Sequence, residues 1–373
     1  MAMGNAPLLV INSGSSTIKY GLYDPHSLAC LKREVIKIHE GEYQATLEKI
    51  IEQCSEVSAV GHRIVHGGQH YAKPVLISDD VLSRLESLNT LAPMHQPFNL
   101  KAVYLIREKW PDMPQIACFD TAFHRDQPKL NQLYAIPRAL TEKGMIRYGF
   151  HGLSYEYIAE QLPKHSDKAS GKVIVLHLGS GASACAMEGL KSVSSSMGFT
   201  ALDGLMMATR CGTIDPGLVL HLLAQENMST AQVTDLLYQK SGLLGVSGLS
   251  ADMRELGASS DVNAQEATAL FCHYITRMVG QLIAELQGLD TLVFTAGIGE
   301  NQPAIREKII QSLNWMGVEI DNTANQQNAA RITTDKSKIE CLVIPTNEEH
   351  IIAQHTAGIS IQLTKNIKQD YIP

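Results

Sequence analysis

Asn12-Ser13-Gly14-Ser15-Ser16 and His177-Leu178-Gly179-Ser180-Gly181 are two versions of one device: a polar residue closing an apolar run, then a Gly/Ser turn that leads into another apolar run. Such turns offer backbone N–H groups and hydroxyls where no side chain blocks an anion. Either copy alone reads as an ordinary hairpin. The repetition, with the polar position matched, points to two related halves facing one polyphosphate. The first copy is not a Walker A loop, because the G-x-x-x-x-G-K-[ST] spacing is missing and a strand follows it. Lys19 could reach a phosphate as a point charge and Asn12 could orient a metal-bound water. The plain alternative is a serine-rich hairpin with a solvated lysine.

Further groups suited to anion chemistry stand among glycines. Gly61-His62-Arg63-Ile64-Val65-His66-Gly67-Gly68 offers an arginine for a bidentate contact to carboxylate or phosphate. His62, His66 and His70 have helical metal-ligand spacing, but Gly67-Gly68 and the β-branched Ile64-Val65 pair argue against a helix and so against zinc. Asp120 closes the apolar run Gln115–Phe119, where α/β sites concentrate; a cap or turn role is an equal reading. Gly149-Phe150-His151-Gly152 holds a histidine that small neighbours leave open, though a lone histidine is more often structural. Arg210 precedes Cys211-Gly212. Asp252 and Arg254 could bracket a ribose or purine, or cap a short helix. Gly297-Ile298-Gly299-Glu300-Asn301 sits at a strand-to-helix turn suited to a phosphate. Thr346 and Glu349 have capping-box spacing, which consumes Glu349 and leaves Glu348 for a hard cation.

These residues need strands and helices to hold them, and both signals alternate along the chain. Leu8–Ile11 and Ile18–Tyr23 read as a hairpin, and Ser78 as the N-cap of a helix carrying Val81, Leu82, Leu85 and Leu88. A helix is expected over Asn99–Lys109, stopped by Pro111, then a strand over Gln115–Phe119. A helix follows Ser154 and a strand spans Val173–Leu176. The longest helix, Ala264–Gln287, should turn Leu270, Phe271, Tyr274, Met278 and Leu282 inward and stop at Gly288. Thr291–Thr295 is a strand, then a helix with Pro303 in its first turn, a strand over Leu342–Ile344, and a last helix after Thr346. The pattern is α/β, with a helix-covered sheet in each half.

At 373 residues the chain is too long for one core, so two domains are expected. We place the joint after His124. A formal charge of −7 argues against a nucleic-acid partner. The seven cysteines are scattered without a C-x-x-C, and read as reduced residues of a cytoplasmic protein. Residues 1–5 lack the features of a signal peptide, and no apolar stretch approaches a membrane span.

Read in order, INSGSSTIK, GHRIVHGG, FDTAFH, YGFHGLS, HLGSGAS, MGFTALDGL, TRCGTIDPG, ADMR, TAGIGEN and IPTNEE resemble the acetate and propionate kinases. These are short-chain carboxylate kinases of the acetate/sugar kinase, chaperone and actin superfamily. The resemblance implies two ribonuclease-H-like domains (the actin-like ATPase fold) flanking a cleft: residues 1–124, with helix 350–373 returning to them, and residues 125–349. It implies a homodimer that uses ATP and Mg²⁺ or Mn²⁺ to make an acyl phosphate and ADP. It puts Asn12 and Glu348 at the metal, and Asp120, His151, Arg210 and Arg63 at the chemistry. It assigns Arg63, Val65, Met94, Phe150 and Ala201 to the carboxylate pocket. Lys19, His177, Leu178, Gly179, Ser180, Gly181, Asp252, Met253, Arg254, Gly297, Ile298, Gly299, Glu300 and Asn301 match the nucleotide-binding segments. Two departures stand out: Ala201 replaces the family's usual proline, and the stretch from Tyr23 to Val57 is short.

The chemistry fits independently. A carboxylic acid of pKa about 4–5 is already an ionised nucleophile at pH 7 and needs no base. Transfer needs alignment and charge neutralisation. Asp120 is therefore expected to orient an arginine or a metal-bound water rather than remove a proton. A hydroxylic acceptor would require a true base, and a nucleotide switch would need neither Arg63 nor the Gly149–Gly152 segment.

Overall fold

The computed structural model describes residues 6–14, 17–39, 41–93 and 95–369, with side chains to 363. The chain divides into two compact units, Met1–Arg125 with Asn347–Pro373, and Asp126–Thr346.

The first unit is a six-stranded sheet of order β3-β2-β1-β4-β6-β5. Its strands are β1 Leu8–Ser13, β2 Thr17–Tyr23, β3 Cys30–Lys37, β4 Ala59–Ile64, β5 Val75–Leu76 and β6 Gln115–Phe119. The first three are antiparallel, and β4 and β6 continue parallel to β1. Alternation sorts β1 by face. Leu9 and Ile11 join a core with Leu47, Ile50, Ala102 and Ile106, from helices Tyr43–Gln53 and Gln96–Lys109. The opposite face of the sheet carries the helix Glu348–Gln369. That helix comes so near β4 that a Cβ on Gly61 would lie 2.1 Å from Thr356 Oγ1 and 2.7 Å from Ile352. Only glycine permits this approach.

The second unit repeats the plan in a five-stranded sheet, β11-β10-β7-β8-β9. Its strands are β7 Lys172–Leu178, β8 Ala182–Glu188, β9 Lys191–Ser195, β10 Thr291–Thr295 and β11 Glu340–Val343. Again three are antiparallel and two continue parallel to the first. This shared order is the ribonuclease-H-like plan, and it explains the doubled turn as one hairpin made twice.

Ser78 caps helix Asp79–Ser87 as expected, accepting from the Val81 N–H at 3.3 Å. The long helix runs Val262–Leu286 and turns Phe271 and Leu282 inward as expected, but the rest of its inward stripe is shifted. Phe271, Ile275, Val279, Leu282 and Leu286 are buried, while Leu270, Tyr274 and Met278 are only half-buried. Tyr274 and Met278 instead line a hollow with Arg277. The segment after β10 holds two helices, Ala296–Asn301 and Pro303–Gln311, rather than one.

The expected capping box at Thr346 is absent. The Thr346 N–H donates to Glu300 Oε1 at 3.1 Å, and Asn347 Oδ1 accepts from the His350 N–H at 3.1 Å. Glu349 is thereby released to the face of the first sheet.

Candidate active site

In the first unit the polar residue at the end of β1 is the centre of a charged network. Parallel pairing of Ile11 with His62 sets Asn12 beside Arg63, and Arg63 pairs with Cys118, two residues before Asp120. Arg63 Nε donates to both Asp120 oxygens at 3.0 and 3.1 Å, and Nη2 donates to Oδ2 at 2.5 Å. Its Nη1 donates to Asn12 Oδ1 at 3.2 Å and lies 3.9 Å from Glu348 Oε2. Asn12 Nδ2 donates at 3.2 Å to each of Glu348 Oε2 and Glu349 Oε1. Burial pushes the Asp120 carboxyl up, and the Arg63 guanidinium opposes that rise. Burial works against the Arg63 charge too, but Asp120 and Glu348 outweigh it and hold the guanidinium above its ordinary value.

Antiparallel pairing puts Lys19 directly opposite Asn12, on the same face. Val65 is buried in the loop after β4, its N–H donating to Asn99 Oδ1 at 3.0 Å. Thr121 Oγ1 accepts from the Gly67 N–H at 3.1 Å, so this loop is tied to the residue after Asp120. Met94, Ser15 and Ser16 lie outside the described residues. His62 and His66 are in a strand and a loop, and among the described residues no group of three His, Cys, Asp or Glu could hold a metal. The Glu348 carboxylate and the Asn12 amide offer oxygen donors, two protein ligands rather than three, which suits a hard, largely hydrated cation.

In the second unit the matching position is His177, which meets an imidazole and a hydroxyl where Asn12 meets a guanidinium and two carboxylates. Its ring stacks on His151 at 4.1 Å between centroids, and its Nδ1 is 2.8 Å from Ser154 Oγ. Ser154 Oγ continues to Thr346 Oγ1 at 2.8 Å. His151 adopts a left-handed backbone (φ 57°) just before helix Gly152–Gln161. Its Nδ1 is 2.8 Å from Ser183 Oγ, which also meets the Tyr155 hydroxyl. Register explains this contact, because Ser183 pairs with His177 across the hairpin. Gly181 lets the chain pass close by: a Cβ there would lie 2.6 Å from Arg210 Nη2 and 3.2 Å from His151 Nε2. Arg210 Nη1 donates to the Ala201 carbonyl at 2.6 Å, so Ala201 belongs to this group. Phe150, next to His151, is buried.

A hollow of about 470 Å³ opens beside the second turn, a volume that suits a nucleoside. Gly179, Ser180, Asp252, Met253, Arg254, Gly297, Ile298 and Asn301 line it, with Ala208, Ala251 and Gln302, which sequence alone did not single out. The cap reading of Asp252 holds, through the Arg254 N–H at 2.8 Å at the start of helix Met253–Ala258, and the residue also lines the hollow.

His177, Leu178, Gly181, Gly299 and Glu300 are not among its lining. Leu178 is core, while Glu300 Oε1 is spent on the N–H groups of Ala296 (2.8 Å) and Thr346 (3.1 Å). The Gly299 and Glu300 carbonyls accept from Arg306 Nη1 at 2.8 and 3.0 Å. Arg306 is fully buried, and burial pulls its guanidinium down to about 10. A run of carbonyls after a glycine turn signals such an arginine only once the turn's packing is known.

Two sheets of one order, each with a Gly/Ser hairpin at its first strand, define the actin-like ATPase class of fold. The family model described as "Acetokinase family" matches residues 40–354. An acetate kinase of Methylocella silvestris is 51% identical over 313 residues, covering 83% of this chain and 77% of that protein. A propionate kinase structure from Francisella tularensis superposes with a TM-score of 0.88 at 36% identity, over 94% of this chain and 99% of that one. A Porphyromonas gingivalis acetate kinase structure gives 0.84 at 34% identity, over 95% and 99%. The chain belongs to the acetokinase family.

Proposed function

We propose that this protein is an ATP-dependent kinase that phosphorylates a short-chain carboxylate, acetate or propionate, giving an acyl phosphate and ADP by reversible, direct in-line transfer. The observation that carries the reading is how Arg63 is held. A guanidinium has five N–H donors. Asp120 and Asn12 engage Nε and one donor on each Nη, which leaves further donors on both Nη atoms for a carboxylate or phosphoryl oxygen. Asp120 is consumed in orienting Arg63, in keeping with an acceptor that needs no base.

Glu348 would hold Mg²⁺ or Mn²⁺ directly or through water, and Asn12, whose amide oxygen accepts from Arg63 Nη1, would orient a metal-bound water. A bound divalent cation neutralises charge on the phosphates. Lys19, on the same face, adds a positive charge. His151 and Arg210 would stabilise the transferring phosphoryl group, and the hollow at Asp252–Arg254 would take the nucleoside. Val65, Phe150 and Ala201 would bound the acyl group. Ala201 in place of proline frees volume for a further methylene, a difference of about 1–3 kcal/mol in such pockets. We also infer a homodimer, supported by helix Pro216–Ala224: it is strongly apolar yet buries no residue, with Leu218 and Leu220 45% and 65% exposed.

The test is incubation with Mg-ATP and acetate, propionate or butyrate, trapping acyl phosphate with hydroxylamine. Acetate or propionate should give the most hydroxamate, their ratio reporting the chain-length preference, and Arg63→Ala almost none. No hydroxamate from any acid would sink the reading.

A further inference from the structure

We propose that Arg33 and Glu349 are positioning residues for phosphoryl transfer: together they hold the Asn12 amide in the one orientation that presents its oxygen to Arg63. The inference rests on the reading of Asn12 and Arg63 given under Proposed function, and it adds two residues to that site.

The sheet register brings them together. Val10, Gly21 and Arg33 form one row across β1, β2 and β3, on the same face as Asn12. Gly21 puts no side chain into the middle of that row. The Arg33 guanidinium can therefore cross β2, and its Nη2 meets Glu349 Oε2 at 2.8 Å. Glu349 is 2% exposed, and its other oxygen accepts from Asn12 Nδ2 at 3.2 Å. Glu348 Oε2 takes the same nitrogen at 3.2 Å.

Both amide hydrogens of Asn12 are thus directed at carboxylates, so its carbonyl oxygen faces Arg63 Nη1. A flipped amide would set oxygen against two carboxylates and N–H against a guanidinium. The clamp on Glu349 excludes that state. It also balances charge, because Asp120, Glu348 and Glu349 are all buried and Arg33 adds a second guanidinium to that of Arg63. Without Arg33, Glu349 would turn toward Arg63 and draw it from Asp120, or leave the cluster and free Asn12.

The experiment measures kcat, both KM values and melting temperature for Arg33→Met, Arg33→Lys, Glu349→Gln and Arg33→Met/Glu349→Met, each with Asn12 and with Asn12→Ala. The double variant removes both charges together, so it keeps the test open if a lone buried carboxylate unfolds the protein. With Asn12 present, Arg33→Met, Glu349→Gln and the double variant should each lower kcat about tenfold, with the ATP KM unchanged. Arg33→Lys should recover most of that loss. In the Asn12→Ala background the same changes should have under about a twofold further effect. Unchanged kcat in the Arg33 and Glu349 variants, or an equal loss in both backgrounds, would overturn the positioning role alone. A fully active Asn12→Ala enzyme would overturn the site reading and this inference with it.

Discussion

At the end of β1 stands Asn12, with Arg63 on the adjacent strand and Asp120 just past the next. At the register-matched places of the second sheet stand His177, Thr295 and Thr346. The first trio is an ion-paired network joined by Glu348 and Glu349. The second is uncharged apart from what its imidazole can carry. Ser154 links His177 to Thr346, and Thr295 Oγ1 is buried with no hydrogen-bond partner among the described residues. One backbone plan has been given two chemistries. We read the charged copy as the one that handles the acceptor and the neutral copy as the one that seats the nucleotide. Fixed charge suits transfer, because it stabilises a charge distribution that must change; a neutral turn suits a ligand that brings its own charge.

The sharpest way to break this contrast is to neutralise the first copy. Arg63→Ala should lower acyl phosphate formation by about 10³-fold or more in the hydroxamate assay. It should also cost about 3–5 kcal/mol of stability, since Asp120 is left buried without its partner. Arg63→Ala/Asp120→Ala should regain much of that stability and none of the activity. A single variant with near-normal turnover would remove the basis for calling the first copy the chemical one.

The two turns can be compared directly through their glycines. Gly181→Ala should cost about 10²-fold in kcat, since its Cβ would displace Arg210 or His151. In Gly14→Ala the new Cβ meets, among the described residues, only Thr17, its carbonyl at 3.4 Å and its Oγ1 at 3.9 Å, so an effect of about threefold or less is expected. Equal losses would mean that both turns are packed for the same task.

Asp120→Asn should lower kcat by roughly 10- to 100-fold while the shape of the pH–rate profile stays the same, because the residue orients Arg63. Loss of one limb of that profile would restore a proton-transfer role. Full activity would dismiss both roles.

The last expected effect is on stability, away from the chemistry. His62 is 1% exposed, and burial pulls its imidazole down to about 4. The unfolded chain takes up that proton near the ordinary 6.5, and the folded protein resists until about 4. The contribution is therefore complete above pH 6.5 and is lost as pH falls toward 4, by about 3 kcal/mol. Urea unfolding across that range should show the decline, and His62→Gln should flatten it. An undiminished decline in His62→Gln would assign the acid sensitivity elsewhere.

Much of this contrast can be read in the chain because a hairpin register is short-range. Once Asn12 and Lys19 flank a tight turn they must face one another, and Asp120 at a strand end must lie near Arg63 if their strands are neighbours. Longer-range relations were hidden. Glu349 has the spacing of a capping residue, and only the bond from Thr346 N–H to Glu300 shows why it is released from that role. Arg33 sits in Leu31–Val35 of an exposed edge strand and looks like a solvated charge until Gly21 opens its path. The inward stripe of helix Val262–Leu286 was shifted because Tyr274 and Met278 line a hollow while Ile275 and Val279 enter the core.

The division of labour is tested most directly by titrating Mg-ADP into the Arg63→Ala protein by calorimetry. Arg63 belongs to the charged copy, and Asp252 and Arg254 to the hollow beside the neutral one. The account predicts an ADP Kd within about twofold of the unmodified protein, although acyl phosphate formation has collapsed. A Kd weakened by the same factor as turnover would contradict it, because Arg63 would then be holding the nucleotide that we assign to the other half.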